Sequence, residues 1–560
     1  MKLNPIRKYK HFQRYREISQ VFIKNGLGFL LDYFNLKRFA PLKRRIKEDK
    51  SDIKRASLPS RLRKVLEELG PTYVKLGQLL STRPDILPPK YIKEFRKLQD
   101  EVAPVSFEKI KPLLQEELGK DLEEIFDSIE ETAQAGASIA QTHRAVLKNG
   151  QPVILKIQRP DIENKIRTDL EMIENLAEMI AERETVPDFI NVKGLVEEFK
   201  ESLFKELDFM RELYNIKRFK ANFSEHEKIT CPKVFEEYST RRVLVMEEVK
   251  GIKLSQFSHD SKEADDIDGS QLARVGAESL LKQVMIDGFF HADPHPGNII
   301  IVNGEKLAYI DFGLMGQISN EDRDNFALLF AALLRRNVEV IADIIVEIGE
   351  VPEDINFRKL KIDIEEFIYN YYNRKLEDIN FSVLFEELQG IVFKHHIKLP
   401  QEFFLLFRAL SVSEGVGSTL DPNFNVVSVG NEFLRDLMKD RFNPNNILRK
   451  LGLGLWRLRR DIKGVPGDFA SLLKKLSRDE LSIGFKHENL ENLNEKIDFA
   501  SNRLSISMII SSLIIGSSLV LQAEIEPLFW GIPVLGFLGF SAAGILGLWL
   551  VISIFRSGRF

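Results

Sequence analysis

The chain has 560 residues, long enough for several domains, and its 80 Lys and Arg against 83 Asp and Glu leave a net charge of −3. With so little net charge and no DNA- or RNA-binding motif, we expect no nucleic-acid partner. The single cysteine, Cys231, excludes an intrachain disulfide and fits a reducing cytosolic environment. The first 20 residues are basic and aromatic without a continuous apolar core, so the sequence predicts no signal peptide.

The first 64 residues form a basic segment with 19 Lys and Arg against 5 Asp and Glu. This composition predicts a helical arm that is either solvated or in contact with an anionic membrane surface. In the next segment, 65–132, apolar residues recur at helical spacing through Leu80, and Pro84 then limits the helix.

From about residue 133 to residue 250 the pattern is that of strands and helices. A loop of four small residues comes first and leads into a strand: Ala135, Gly136, Ala137 and Ser138. Asn149-Gly150 then predicts a two-residue hairpin turn, and 152–157 is the return strand, which contains Lys156. This order is typical of the amino-terminal lobe of a protein kinase, where amides of the loop cover the phosphates of ATP and the lysine reaches them. The alternative for Lys156 is an exposed lysine on an edge strand.

Two helices are predicted after this hairpin, near 163–184 and 195–222. On the second, Asp208 and Glu212 are four residues apart and share a face. One of them should pair with Lys156, because a lysine in a buried strand needs an anionic partner, but the spacing does not select which.

The strand near 242–249 leads into a polar turn. We expect the backbone groups of Glu247 to Val249 to bind adenine at the connection between two lobes. The alternative is a plain exit from a strand into a loop.

The densest group of candidate catalytic residues lies at 288–313. His291-x-Asp293 with Asn298 five residues later has the spacing of the kinase catalytic loop, and Asp311-Phe312-Gly313 adds a second carboxylate. Phosphoryl transfer needs a carboxylate at the attacking hydroxyl, and a carbonyl and a carboxylate oxygen on magnesium. The motif therefore predicts ATP and Mg²⁺ as cofactors, with Asp293 at the acceptor and Asn298 and Asp311 as metal ligands.

The rest of the chain is predicted to hold a helical lobe at 251–440, a helical linker at 441–503 and an apolar hairpin at 504–556. Its apolar runs, Ser505–Leu521 and Ile532–Phe555, would reach roughly 25 and 36 Å as helices, near the thickness of a bilayer core. Basic residues precede the first run and follow the second, which predicts that both ends lie in the cytoplasm: Lys496, Arg503, Arg556 and Arg559. The alternative is a buried apolar hairpin in a soluble domain.

Several motifs together resemble the UbiB/AarF family of atypical protein-kinase-like proteins over about residues 60–430, and the terminal hairpin resembles bacterial members. They are Lys75-Leu76-Gly77-Gln78, the run from Ser81 to Asp85, the loop Ala137–Ala145, Glu206-Leu207-Asp208 and His291–Asn298. Gly136 stands where the family has an alanine, and Thr142 where it has a valine.

The resemblance implies an α/β (α+β) fold: a bilobal protein-kinase-like structure with a helical N-terminal extension and a C-terminal two-helix transmembrane hairpin. It implies that Glu212 is the partner of Lys156. It also implies that segment 65–132, with Lys75, Gly77 and Gln78, packs over the kinase cleft near Glu206 and Asp208, where a protein substrate would otherwise dock.

The family is associated with isoprenoid quinone biosynthesis and lipid homeostasis, as an ATPase or small-molecule kinase. The resemblance thus implies a bacterial plasma-membrane protein with its kinase-like domain on the cytoplasmic side, acting on a lipid or quinone precursor, with quinone-biosynthesis enzymes as candidate partners. One alternative is a nucleotide-binding membrane scaffold with little phosphotransfer, favoured by Ala292 where ordinary protein kinases have arginine. Another, a small-molecule kinase like the aminoglycoside phosphotransferases, accounts for neither Lys75–Gln78 nor the hairpin.

Overall fold

The structure is a computed structural model that describes residues 5–33, 57–81, 83, 86–98, 102–181, 191–258, 267–352, 355–371, 380–441, 490–523, 527–529 and 532–556. The predicted linker therefore lies mostly outside the described residues, as do parts of the basic arm and of the run from Ser81 to Asp85. The chain divides into two compact units, 1–447 and 448–560.

In the described part of the chain, seven helices precede the first strand. They are α1 Pro5–Lys24, α2 Leu30–Tyr33, α3 Leu58–Leu69, α4 Pro71–Leu80, α5 Pro89–Phe95, α6 Phe107–Leu118 and α7 Leu122–Ile125. Gly70 separates α3 from α4 with a φ of 98°, a backbone conformation that favours glycine, and Pro71 then starts α4 with its fixed φ.

The amino-terminal lobe is built on an antiparallel sheet in the order β1-β3-β4-β6, with β2 paired to β3. Its strands are β1 Phe126–Ile129, β2 Ala135–Gly136, β3 Ala140–Leu147, β4 Pro152–Gln158 and β6 Val243–Glu247; the short β5 Ile229–Thr230 belongs to another sheet. Lys156 lies opposite Thr142 of β3 and Leu244 of β6. It is therefore on an inner strand, and the edge-strand alternative is wrong.

Three helices connect β4 to the later strands: α8 Ile162–Ala181, α9 Val192–Glu206 and α10 Phe209–Asn222. The single helix predicted over 195–222 is wrong, because the chain breaks at Leu207-Asp208. The Asp208 side chain accepts a hydrogen bond from the Met210 amide (3.1 Å) and so caps α10, while Leu207 is buried in the core. Asp208 and Glu212 consequently do not share a helix face: one caps the helix and the other lies inside it.

The carboxyl-terminal lobe is mostly helical and carries two small sheets beside the cleft. Its strands are β7 Ile252–Lys253, β8 Phe289–His291, β9 Ile299–Val302, β10 Lys306–Tyr309 and β11 Met315–Gln317. Its helices are α11 Gly269–Lys282, α12 Asn320–Arg335, α13 Val338–Ile348, α14 Phe357–Asn370, α15 Phe381–Lys394, α16 Gln401–Leu420 and α17 Val426–Arg441.

The helix α16 is the buried centre of this lobe, although its length and composition alone would let it cross a membrane. Phe407 of α16 stacks on Phe385 of α15, with ring centroids 4.1 Å apart. Glu414, also on α16, accepts hydrogen bonds from the amides of Phe381 (2.8 Å) and Ser382 (3.1 Å), which satisfies the start of α15. These contacts fix α16 as a core element of the lobe.

The second unit contains two long apolar helices, α18 Leu490–Gln522 and α19 Val534–Arg556. Ser501–Gln522 and Val534–Ile552 both have a mean hydropathy of 2.1 and are long enough to cross a membrane. The predicted helical run from Ile532 begins two residues too early, because Ile532–Pro533 (β13) pairs with Leu528–Phe529 (β12). The two helices pack closely at Gly536 and Gly539, where an added Cβ would overlap side chains of α18.

Candidate active site

The side chain of Lys156 lies between two carboxylates in the cleft. Its Nζ is 2.7 Å from Glu212 Oε1, 2.8 Å from Glu212 Oε2 and 3.3 Å from Asp311 Oδ1. Inner strand β4 supplies the lysine and helix α10 supplies the glutamate, so the Lys–Glu pair joins the sheet to the helix. The Phe312 amide also donates to Glu212 Oε1 (3.3 Å), which connects this pair to the loop of Asp311.

The three charges of this cluster are tightly coupled. Burial raises the pKa of Glu212 to about 7; Lys156 acts to lower that pKa, while the nearby Asp311 adds to the rise. Burial acts to lower the pKa of Lys156, but the carboxylates of Asp311 and Glu212 outweigh it and raise that pKa above its usual value. Burial acts to raise the pKa of Asp311, but Lys156 and the Gly313 amide hold it well below its usual range. Lys156 is therefore cationic and Asp311 anionic at neutral pH.

His291 connects the predicted catalytic loop to the predicted metal-binding loop. Its Nε2–H donates to the Asp311 carbonyl oxygen (2.6 Å), and its Nδ1 accepts from the Asp293 amide (3.2 Å). Burial lowers the pKa of His291, which keeps the ring neutral, as these two bonds require. These contacts give His291 a structural role, in which it connects the two loops.

Asn298 and Asp311 lie at the same end of the β9–β10 hairpin. Tyr309 pairs with Ile299 across the hairpin, and the Ile310 amide donates to the Asn298 carbonyl oxygen (3.0 Å). The Asp311 side chain is 44% exposed, so it can reach a cation in the cleft. An amide and a carboxylate oxygen are ligands that Mg²⁺ prefers, so this pair fits the predicted magnesium site.

Asp293 has a partner that the sequence did not indicate. Arg408 of α16 places its Nη2 3.2 Å from Asp293 Oδ2, and both side chains are 32% exposed. The two residues are far apart in the sequence, and no motif relates them. The one feature of the sequence that could have indicated this contact is the presence of a basic residue, Arg408, within the strongly apolar stretch that forms α16.

The small-residue loop is held mainly by contacts within the protein. The Ala137 amide donates to the Ala140 carbonyl (2.8 Å), and Ser138 is only 2% exposed. Arg159, which sequence reasoning also missed, donates to the carbonyl oxygens of Ala137 (2.9 Å) and Val102 (2.8 Å). The Ala137 amide is therefore engaged within the loop and the Ser138 side chain is buried, whereas Ala135 and Gly136 form β2.

The helix α4 lies against α9, and two ion pairs connect this region of the extension to that helix. Lys75 Nζ is 2.7 Å from Glu206 Oε1, and Arg83 Nη1 is 2.6 Å from Glu198 Oε2. Gly77 packs so closely that an added Cβ would overlap Leu98.

Gln78, on the same helix, donates its Nε2–H to the Leu98 carbonyl (3.3 Å). The structure thus brings Lys75 to Glu206, while Gln78 binds within the extension and Asp208 caps α10.

The strand β6 ends at Glu247, where the connection between the lobes begins. The Glu247 side chain accepts from the Lys233 amide (3.0 Å), and the Glu248 amide donates to the Pro152 carbonyl (3.2 Å). Val249 follows in the loop that leads to β7. The predicted adenine-binding segment is therefore located where the chain leaves the sheet of the amino-terminal lobe.

This fold and this cluster of Lys156, Glu212, Asp293, Asn298 and Asp311 define a protein-kinase-like protein. Residues 97–345 match the ABC1 atypical kinase-like domain, residues 364–425 the UbiB helical domain and residues 488–556 the ABC1/UbiB kinase-like C-terminal domain. The chain belongs to the UbiB/AarF (ABC1) family of atypical kinase-like proteins. The family and the fold class predicted from the sequence are confirmed.

Relatives match along most of the chain. An uncharacterized protein of Clostridium pasteurianum, described as lying in the hydrogenase 1 5′ region, is 35% identical over 97% of this chain and 99% of its own length. The probable protein kinase UbiB of Aeromonas salmonicida is 32% identical over 78% of this chain and 81% of its own length. Among solved structures, the complex of Rv3197 with erythromycin from Mycobacterium tuberculosis has a TM-score of 0.46 and 22% identity, over 64% of this chain and 90% of that one.

Proposed function

We propose that this chain is a membrane-anchored, Mg-ATP-dependent phosphotransferase or ATPase that supports isoprenoid quinone (ubiquinone-type) biosynthesis or lipid homeostasis. The observation that carries the catalytic part is the position of Lys156 Nζ, 2.7 Å from Glu212 and 3.3 Å from Asp311. A fixed ammonium beside a carboxylate that can hold a metal is the charge arrangement that a nucleotide triphosphate requires.

Each residue of the cluster has a part in the proposed reaction. Lys156, held by Glu212, neutralises the α- and β-phosphates, and the segment from Glu247 to Val249 binds adenine. Asn298 and Asp311 would hold Mg²⁺, which neutralises charge on the phosphate oxygens when it is bound.

Asp293 orients the acceptor, a hydroxyl or a water, and takes its proton. The acceptor oxygen then bonds to the γ-phosphorus while the bond from that phosphorus to the β,γ-bridging oxygen breaks, which releases ADP.

The membrane part of the proposal is supported by the two apolar helices of the second unit. Their candidate spans, Ser501–Gln522 and Val534–Ile552, are 6% and 11% buried, so most of their apolar surface is left for lipid. Arg503 lies at the start of the first span, and Arg556 follows the second. By the positive-inside rule we propose two crossings of a bacterial plasma membrane with the kinase-like domain on the cytoplasmic side.

A scaffold that binds nucleotide with little turnover is the second candidate. It is favoured by the contact between Asp293 and Arg408, which occupies the carboxylate that turnover requires, and by the internal hydrogen bond of the Ala137 amide. A scaffold of this kind would change its contacts with quinone-biosynthesis enzymes or lipids when ATP binds.

ADP formation by the full chain in neutral detergent separates the two candidates, because both hydrolysis and transfer to a hydroxyl release ADP. We expect Mg-ATP turnover that increases when a prenylated phenol is added as a quinone-precursor analogue. Tight Mg-ATP binding with no ADP formation under either condition would favour the scaffold.

Deletion of the gene, followed by analysis of lipid extracts, tests the biosynthetic part of the proposal. We expect lowered quinone levels in the deletion strain. Normal quinone and lipid levels would contradict this part.

A further inference from the structure

Gln283 begins an unusual turn of helix just before the predicted catalytic loop. The helix α11 ends at Lys282, and Gln283–Asp287 then forms a single π turn. The Lys282 ammonium spans this turn and contacts both oxygens of the Asp287 carboxylate (2.9 and 2.8 Å). Gly288 closes the turn in the left-handed conformation, with a φ of 60°. Single π turns are frequent at functional sites, so the side chain that begins this one is a candidate for a functional role.

The Gln283 side chain binds the backbone of His291. Its Oε1 accepts a hydrogen bond from the His291 amide (2.9 Å), and both residues are only 1% exposed. Among the described strands, only β11 pairs with β8, the strand that ends at His291. The Ala292 amide donates to the Leu314 carbonyl on the β11 side (3.1 Å), so the preceding amide, that of His291, faces away from β11. Gln283 therefore supplies the acceptor that a further strand would otherwise provide.

His291 transmits this constraint to both aspartates of the candidate site. Its Nδ1 accepts from the Asp293 amide (3.2 Å), and its Nε2–H donates to the Asp311 carbonyl oxygen (2.6 Å). A displacement of His291 would consequently move two carboxylates at once. Lys156 would keep its contact with Glu212, because neither residue contacts Gln283 or His291 through a hydrogen bond in the described part of the chain.

Stability alone does not account for a glutamine at this position. Within the described residues, the buried Nε2–H group of Gln283 has no hydrogen-bond acceptor. A buried donor without a partner costs free energy. The side chain thus satisfies one buried donor, the His291 amide, while it leaves another unpaired, so its net contribution to stability is small. The placement of His291 explains the glutamine better.

We propose that Gln283 is a positioning residue, which acts through His291 to set the positions of Asp293 at the acceptor and of Asp311 at the predicted metal site. The inference rests on the proposed function, because it adds a residue to that same site. In-line transfer requires the two carboxylates at a fixed separation, and Gln283 maintains that separation without touching nucleotide or acceptor. Contacts that orient a ligand residue in this way are typically worth about tenfold to a hundredfold in metal affinity or activity.

The test compares the full chain with two variants in neutral detergent. Gln283→Met keeps the length of the side chain but lacks the amide, and Gln283→Glu keeps an acceptor oxygen in either protonation state. Gln389→Met is the matched control, because Gln389 is another buried glutamine of this lobe and its Oε1 accepts from Arg96 (3.4 Å). If thermal unfolding shows that Gln283→Met does not fold, Gln283→Asn replaces it, since it keeps the amide but shortens its reach.

Hydrogen exchange resolved to single amides measures the contact itself. We expect the His291 amide to exchange about tenfold faster in Gln283→Met, because its acceptor has been removed. The Ala292 amide is the internal control, because its acceptor is the Leu314 carbonyl. An unchanged His291 amide would overturn the inference, and so would equal acceleration of both amides, which a merely structural role predicts.

Metal binding measures the consequence for Asp311 without any turnover. Mn²⁺, which prefers the same oxygen ligands as Mg²⁺, is titrated with ADP bound and followed by electron paramagnetic resonance. We expect the Mn²⁺ affinity to fall about tenfold to a hundredfold in Gln283→Met and to stay close to the wild type in Gln283→Glu and Gln389→Met. The affinity for ADP without metal should not change, because Lys156 is not displaced.

ADP formation at saturating Mg²⁺ separates this inference from the proposed function. In Gln283→Met we expect kcat to fall about tenfold or more with little change in the KM for ATP, and Gln283→Glu should restore most of the rate. If Mn²⁺ affinity falls as expected but the wild type forms no ADP, the proposed function fails and the positioning role stands.

The reverse result is a wild type that turns over ATP and a Gln283→Met variant with the same kcat and the same Mn²⁺ affinity, which would overturn the inference alone. Equal losses in Gln389→Met, or no recovery in Gln283→Glu, would also overturn it. Absence of Mn²⁺ binding in the wild type would contradict both proposals.

Discussion

Lys75 Nζ on α4 lies 2.7 Å from Glu206 Oε1 at the end of α9. The two side chains are partly buried, so the pair attaches the helical extension to the kinase-like lobe with less screening than a surface pair has. The extension is thereby attached to α9. Its position over the cleft stays a prediction, and the attachment itself can be measured directly.

Loss of the Lys75 ammonium should loosen α4. In Lys75→Ala we expect faster amide hydrogen exchange across Pro71–Leu80 and a loss of about 1 kcal/mol in the free energy of unfolding, since the pair is neither fully exposed nor fully buried. The exposed pair of Lys24 and Glu68 provides the control, because Lys24→Ala should leave exchange in α4 unchanged. Unchanged exchange in Lys75→Ala would contradict a role of this ion pair in holding the helix.

The Lys156–Glu212 pair should behave as one unit. Lys156→Met and Glu212→Gln should each lower ATP turnover about a hundredfold or more, and the double variant should lose little beyond either single change. Lys217 lies on the same helix as Glu212 and forms an exposed ion pair with Glu236, outside that helix. Lys217→Ala therefore serves as the control and should retain turnover. Additive losses in the double variant would contradict the pairing seen here.

A methyl group at position 136 should disturb the loop of small residues. An added Cβ would overlap the Val102 carbonyl oxygen, which also accepts a hydrogen bond from Arg159. We therefore expect Gly136→Ala to destabilise the protein by about 1–3 kcal/mol, the usual cost of overpacking, and to change its ATP affinity.

The matched control for Gly136 is Gly390 inside α15, where an added Cβ meets no atom within 4 Å. Gly390→Ala should raise the free energy of unfolding by about 0.5–1 kcal/mol, because alanine favours a helix. Chemical denaturation measures both variants. Equal stability of the two would contradict the close approach of Val102 to Gly136.

The basic arm should depend on a buried ion pair. Arg14 Nε lies 2.6 Å from Asp169 Oδ1, and Thr72 Oγ1 donates to Asp169 Oδ2 (2.8 Å). Asp169→Ala removes the buried carboxylate and leaves Arg14 with the half-exposed Glu17 (2.6 Å) as its acidic partner. We therefore expect a loss of about 3 kcal/mol in chemical denaturation, the lower end of the cost of breaking a buried ion pair.

The exposed pair of Arg167 and Glu163 on the same helix is the control for Asp169. Glu163→Ala should cost less than about 1 kcal/mol. Similar small losses in both variants would show that Arg14 does not hold the arm in solution.

The sequence predicted the parts of the site that lie within short motifs. The hairpin around Asn149-Gly150 placed Lys156 in a strand, and the spacing of Asp293, Asn298 and Asp311 placed them in two neighbouring loops. Local spacing of this kind is readable because the backbone between the residues has few conformations.

The remaining contacts were not predictable, because each joins residues that are far apart in the chain. Arg408 reaches Asp293 from α16, and Arg159 reaches the carbonyl of Val102; no periodicity relates such positions. The break at Asp208 was missed for another reason. Apolar residues keep helical spacing across it, and only the side-chain cap on the Met210 amide separates the two helices.

ADP formation by Asp293→Asn tests the central claim most directly, because both hydrolysis and transfer to a hydroxyl release ADP. The substitution keeps the size of the side chain but removes the carboxylate that orients and deprotonates the acceptor. Asp363→Asn is the control, since Asp363 is also ion-paired, with Lys394, and hydrogen-bonded to His395, on a helix of the same lobe. The account predicts that Asp293→Asn binds Mg-ATP and unfolds like the wild type but forms ADP about a hundredfold or more slowly, while Asp363→Asn retains turnover. Wild-type rates of ADP formation in Asp293→Asn would contradict it.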